Sequence, residues 1–233
     1  MGTSFPAGDT LLASYESDEE QIEALKRWWA ENGNSLVIGI VIVLVVLFGS
    51  RQWQSAQVEK AEAASDLYEN MLPSVALFHS ATLDETGMSE LESNYNSLRN
   101  DHTDTIYARY GALLMASVYA TQENYDQAAA ELNWIIENPE LGFMQMAEEE
   151  LFLTARLRLA RVRLAQGEPQ QALDLLTSVE PLELGAGFAE AQGDAYKELG
   201  QLEQSRSAYE RALGFAPDNT SLIELKLRAL GSS

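Results

Sequence analysis

No cysteine occurs among the 233 residues of this chain. That excludes disulfides, thiolate nucleophiles and thiolate metal sites, and it suits an oxidising compartment without requiring one. Histidine is nearly absent too. His79 and His102 lie far apart in the sequence, and neither has a partner at the helical spacing a metal ion needs. Both read as surface or packing residues, and no metal or cofactor is expected.

Basic residues are scarce, 15 against 36 acidic, for a formal net charge of -21. Such a chain repels phosphate backbones, so nucleic-acid binding would need a local basic cluster. The best one is "ARLRLARVRL". At about 100° per residue, Arg156 and Arg163 share one side of a helix, and Arg158 and Arg161 share the other. Glu148, Glu149 and Glu150 stand just before it, where a helix N-terminus favours acids. The stretch reads as a charged helix balanced by its surroundings, and no nucleic-acid partner is expected.

Signatures of catalysis are missing as well. There is no G-x-S-x-G, H-E-x-x-H, P-loop or Rossmann fingerprint. "LELGAGF" holds a lone G-x-G with no strand before it and no third glycine, so it reads as a loop between repeats. The many carboxylates are better explained as a solvated acidic face than as catalytic pairs. The chain is not expected to be an enzyme.

Long apolar runs are also absent, with one exception. Residues 36–48 are all apolar or glycine, and the uncharged stretch 32–50 covers 19 residues. At 1.5 Å per residue that is roughly 28 Å of helix, close to the hydrocarbon thickness of a bilayer. Trp28, Trp29 and Trp53 mark its edges, as interfacial aromatics do. β-branched residues surround the whole circumference of "VIGIVIVLVV", which a soluble core helix does not need. A removed export signal fits poorly. No small-residue cleavage site follows closely, the nearest A-x-A being Ala61–Ala63, and the preceding stretch is long and acidic. An uncleaved transmembrane helix over 34–51 is therefore expected. Lys26 and Arg27 on one side balance Arg51 and Lys60 on the other, so the positive-inside rule leaves the orientation tied.

Ahead of this span, residues 17–33 read as a short amphipathic helix at the membrane interface. Ser17 and Glu20 form a capping-box pair, Ile22, Leu25 and Trp29 make a stripe, and Gly33 offers a stop. Residues 1–16 lack periodicity and read as a disordered tail.

Beyond the span, residues 52–233 show 3.6-residue periodicity and no sustained strand alternation, so an all-α class is expected. "SAQVEKAEAASDLYENML" is a helix that Pro73 ends or kinks. After a break at "ATLDETGMSE", "SELESNYNSLRN" is a second helix with Ser89 and Glu92 as a capping box. Internal repetition follows. Gly193, Gly200, Ser205 and Tyr209 coincide with Ala160, Gly167, Ala172 and Leu176 at a constant offset of 33. Ala116, Ala128 and Leu132 continue the series at an offset of 44, with an insertion around "NPELGFMQMAEE".

The last copy, with Gly193, Tyr196, Gly200, Tyr209, Ala212 and Pro217, resembles the tetratricopeptide repeat. Small residues let two helices approach, aromatics fill the gaps between pairs, and proline stops the second helix. After the single transmembrane helix, the resemblance implies an α-solenoid whose inner helices line a groove. The positions that packing leaves free for a partner are Leu113 and Ser117, then Leu157 and Arg161, then Glu190, Asp194 and Lys197.

Taken together, the acidic tail, "EALKRWWAENG", the single span, "QVEKAEAASDLYENML" and "RLRLARVRLAQGEPQQALDLL" resemble the YfgM family of ancillary SecYEG translocon subunits. The resemblance runs over about residues 18–213 and is tightest at 21–53 and 153–195. It implies an inner-membrane protein with a cytoplasmic N-terminus and a periplasmic repeat domain. The implied partners are SecYEG, a PpiD-like periplasmic chaperone and nascent secretory polypeptides. A longer N-terminal tail and a longer "DETGMSE" region depart from the family pattern. Two function classes stay open: an adaptor linking translocating proteins to chaperones, and a regulatory or envelope-assembly scaffold acting through its cytoplasmic tail.

Overall fold

A computed structural model describes residues 9–138, 145–177, 185–215 and 221–231, and among these every element is a helix. The chain divides into two units, Met1–Glu59 and Lys60–Ser233. Each is taken by itself.

The first unit belongs to α1, Asp9–His79, which continues into the second. Within Leu36–His79 this helix contains a window of mean hydropathy 2.1, none of it buried, and it is long and apolar enough to cross a membrane. Two expectations are corrected here. Residues 9–16, read as part of a disordered tail, are helical, while 1–8 lie outside the described residues. No glycine or proline separates Asp9 from Gly33, so extending an existing helix avoids the cost of a new nucleus. Nor does Gly33 stop the helix. The Trp29 ring lies over it, so close that an added Cβ would sit 3.1 Å from the indole. A glycine inside a helix costs only about 1 kcal/mol, less than leaving backbone groups unpaired beside a bilayer.

The second unit begins with residues 60–79 of α1. Pro73 does not end the helix, which continues to His79 with Met71 and Val75 buried on either side of the proline. The apolar contacts outweigh the single backbone hydrogen bond that proline cannot donate. α2, Glu85–Asp101, starts earlier than the Ser89 box predicted. Its N-cap is Asp84, whose Oδ1 accepts from the Gly87 N–H at 2.8 Å. There follow α3 (Ile106–Thr121), α4 (Tyr125–Glu137), α5 (Gln145–Ala165), α6 (Pro169–Thr177), α7 (Gly185–Glu198), α8 (Leu202–Phe215) and α9 (Ser221–Leu230). From α2 to α9 each helix packs on its neighbours in sequence, and α3 on α5 and α5 on α7 besides. That is the nearest-neighbour pattern of a solenoid.

One turn geometry recurs. Glu123, Gly167 and Gly200 all take left-handed φ, at 59°, 76° and 73°. In each case the residue's own N–H donates three residues back, to Ala120, Leu164 or Lys197, at 2.9–3.1 Å. The next N–H reaches five back, to Tyr119, Arg163 or Tyr196, at 2.8–2.9 Å. This is the Schellman closure, which satisfies the last carbonyls of one helix and reverses the chain into the next. Ala81 makes the same turn after α1, with φ 56° and the Thr82 N–H on Leu77 O at 2.9 Å. Residues 60–79 and α2 are thus joined by the same turn, one the repeat pattern did not reveal.

Small residues set the spacing inside the pairs. Ala116, Ala128, Ala160, Ala172, Gly193 and Ser205 are all buried, and Ser205 Oγ donates to Gly193 O at 2.8 Å. Gly185 and Gly187, expected in a loop, belong to α7 instead. A Cβ on Gly185 would meet the Phe215 ring at 2.8 Å, and one on Gly187 would meet Leu157 at 2.9 Å, so the G-x-G serves close helix packing. The proline signal at Pro217 lies outside the described residues.

Candidate functional site

The helices α3, α5 and α7 present the C-terminal halves of their sequences to one face, and α9 closes its far end. Two recesses open there. The first, about 360 Å³, lies between α3 and α5, with Ala116, Ala120, Leu132 and Val162 in its walls and Ser117, Arg158 and Arg161 around them. The second, about 610 Å³, lies between α5, α7 and α9 and is lined by Arg161, Glu190, Asp194, Lys197, Leu222 and Lys226 among others. Arg161 belongs to both. The expected groove residues Ser117, Arg161, Glu190, Asp194 and Lys197 therefore share this face. Leu113 and Leu157 do not. They are buried, 8% and 9% exposed, because each faces the core packing between helix layers.

The second recess is an ionic cluster. Lys226 Nζ lies 2.7 Å from Glu190 Oε1 and 2.7 Å from Asp194 Oδ2. Tyr209 donates its hydroxyl to Asp194 Oδ1 at 2.7 Å, and Lys226 stands 5.8 Å from the Tyr209 ring. Burial lowers the pKa of Lys226, but hydrogen bonds to Asp194 and Glu190 outweigh it and leave the value above the ordinary one. Burial, with the Asp194 bond second, raises the Tyr209 hydroxyl. Arg161 reaches Glu190 only at 3.8 Å, with half of its side chain exposed.

Sequence reasoning missed Lys226 altogether. It lies on α9, outside the three repeat copies, and the one available signal was its four-residue spacing from Leu222. Arg158, set aside with the balanced charged helix, donates to Leu113 O at 3.1 Å and forms no ion pair among the described residues. The other two arginines of that stretch, Arg156 and Arg163, line a separate recess of about 540 Å³ with Asn133, Leu159 and Asp174. Arg163 is paired there with Glu168 at 3.0 Å. Among the described residues no group of three or more histidine, aspartate or glutamate side chains is placed to hold a metal ion.

At the edges of the apolar run, Trp28, Trp29 and Trp53 are exposed by 48%, 53% and 66%. An indole left uncovered by protein is suited to the bilayer interface, with its N–H toward water and its ring toward lipid.

Three curated relatives match almost end to end. Proteins named ancillary SecYEG translocon subunit from Escherichia coli and Haemophilus influenzae are 28% and 27% identical over 93% and 85% of this chain, and over 98% and 90% of their own lengths. One of the same name from Neisseria gonorrhoeae is 20% identical over 94% of this chain and all of its own. The family model described as tetratricopeptide repeat-like domain matches residues 26–232, spanning the apolar run and all the helix pairs after it. With one membrane-length helix among the described residues and its stacked repeat pairs, the chain belongs to the YfgM family of tetratricopeptide repeat-like proteins.

Proposed function

We propose that this protein is a non-enzymatic adaptor of the bacterial inner membrane, held beside the Sec translocon by α1 and working through its repeat domain. The N-terminus lies in the cytoplasm and residues 52–233 in the periplasm. The face that carries Arg161 binds a PpiD-like chaperone or a polypeptide emerging from the channel. The observation that carries this reading is the likeness, over most of the chain, to relatives sharing one translocon-subunit name, together with a membrane-length helix that leads into a repeat domain. A solenoid face with two adjoining recesses suits capture of a polypeptide.

Photo-cross-linking tests it. A benzophenone residue at position 161 or 197 should link the protein to a periplasmic chaperone or a secretory polypeptide, and one at position 53 to a translocon subunit. Inner membranes that yield neither adduct at wild-type expression overturn the adaptor reading. Protease added to spheroplasts should remove the repeat domain and leave a short protected fragment. An undigested repeat domain reverses the orientation.

A further inference from the structure

The two recesses differ in how their charges are satisfied. In the second, Lys226 holds both Glu190 and Asp194 at 2.7 Å, so these two anions are already met. Arg161, at 3.8 Å, is the looser of the two cations on Glu190. In the first recess no carboxylate lines the walls, yet two guanidinium groups do. Arg158 gives one N–H to a backbone carbonyl and has no anionic partner among the described residues. Partial desolvation, and then repulsion from Arg161, lower its pKa. A chain of net charge -21 thus keeps two mutually repelling arginines beside an apolar hollow. Guanidinium is weakly hydrated and forked, so it takes a carboxylate more readily than an ammonium would in such a place. The floor beside it is alkyl, with Ala116, Leu132 and Val162 all buried. A volume of about 360 Å³ stands near the lower end of ligand pockets, roughly 300–1,000 Å³, room for one or two large side chains.

We propose that the recess between α3 and α5 is a subsite for a polypeptide segment in which an apolar side chain adjoins a carboxylate. The apolar group enters between Ala116, Ala120 and Val162, and the carboxylate lies across Arg158 and Arg161. On binding, Arg161 exchanges its long contact with Glu190 for the ligand, while Lys226 keeps Glu190 neutralised. This deepens the adaptor reading by naming the chemistry of the segment captured, and it rests on that reading for its biological setting.

The test uses the full chain in lipid nanodiscs and a fluorescein-labelled ten-residue peptide of glycine and serine around a leucine–glutamate–leucine–glutamate core. Anisotropy should report binding that weakens with added salt. Replacing the glutamates by glutamine, or the leucines by serine, should lower affinity about tenfold or more, the scale of losing a charge-assisted hydrogen bond. Arg158→Gln and Arg161→Gln should do the same, and Arg161→Lys should retain part of the affinity. The distinctive result is a gain. Glu190→Gln releases Arg161 and should tighten binding several-fold, with helix content near wild type and a lower melting temperature because Lys226 loses one of its two anionic partners. No binding up to millimolar peptide, equal binding of the glutamine peptide, or indifference to both arginine variants overturns the subsite. Cross-links at position 161 that persist in the arginine variants leave the adaptor reading standing without this subsite. Peptide binding without any cross-linked partner leaves the subsite standing without the adaptor.

Discussion

Gly193 on α7 and Tyr209 on α8 are in contact so close that a single added carbon would collide: a Cβ at 193 would lie 2.4 Å from ring atoms of Tyr209. Tyr209 is fully buried, and its hydroxyl is tied to Asp194 at 2.7 Å, so the ring has nowhere to retreat. Gly193→Ala should therefore cost about 1–3 kcal/mol, and Gly193→Leu more. The preceding pair uses Ala160 with Leu176 at the equivalent positions. Adding Tyr209→Leu to Gly193→Ala should accordingly recover part of the loss. A thermal double-mutant cycle measures the coupling, and strict additivity would show that the contact is not the cause.

Glu123 holds the left-handed turn position that Gly167 and Gly200 hold in the later pairs, without glycine's tolerance of it. An L-residue there costs about 1–2 kcal/mol, partly offset by the lower chain entropy of a non-glycine residue when unfolded. Glu123→Gly should raise stability by about 0.5–1 kcal/mol. Gly167→Ala and Gly200→Ala should lower it by a similar amount, since open space around both leaves strain as the cause. Denaturant midpoints at constant slope decide this.

Lys226 gives the C-terminal helix a pH dependence of definite sign. Its pKa is raised in the fold, so its contribution is complete below the unfolded value, near 10.4, and is lost as pH rises through the higher folded value. Tyr209, also raised, acts in the same direction above pH about 10. Melting followed from pH 8 to 11 should fall at the alkaline end, and Lys226→Met should flatten that fall. At neutral pH the same substitution should cost about 1.5–3 kcal/mol, the worth of hydrogen bonds to charged groups.

Arg109 is 3% exposed, with its guanidinium donating to Asn138 O at 2.8 and 3.0 Å and to Thr105 O at 3.2 Å. It ties the end of α4 to the start of α3. Arg109→Leu removes the donors and leaves those carbonyls short of partners, at about 1–3 kcal/mol. Amide exchange should quicken at residues 135–138 in this variant, and unchanged protection there would mean that the tie does not hold the helix end.

Residues 60–233 should fold alone as a helical unit, since their apolar clusters are made within that unit. Circular dichroism before and after a chelator should match. Loss of helix on chelation would reveal a metal site outside the described residues.

Much of the fold was legible because it depends on local periodicity. The apolar run needed only its length, and the repeat pairs needed only small residues and turn glycines at fixed offsets. Boundaries were less legible. Gly33 and Pro73 are helix breakers by propensity, yet α1 passes through both, because packing and the demand for paired backbone groups outweigh about 1–3 kcal/mol of local preference. The recurrence of this turn between residues 60–79 and α2 was hidden because Ala81 and Asp84 shape the turn and the cap, and neither is a glycine or a repeat-pattern residue.

The sequence by itself determined that this chain is helical, repeated and able to cross a bilayer once, since hydrophobic length and period are properties of consecutive residues. Only the tertiary structure decided which charges are satisfied. Glu190 and Asp194 looked free until α9 brought Lys226 against them from more than 30 positions away. Leu113 and Leu157 looked exposed until neighbouring helices covered them. Arg158 became distinct from Arg156 and Arg163 only when α3 and α5 set it beside an apolar hollow with no carboxylate in its walls. Pairing and burial depend on distances between residues remote in sequence, and a local pattern does not contain those distances.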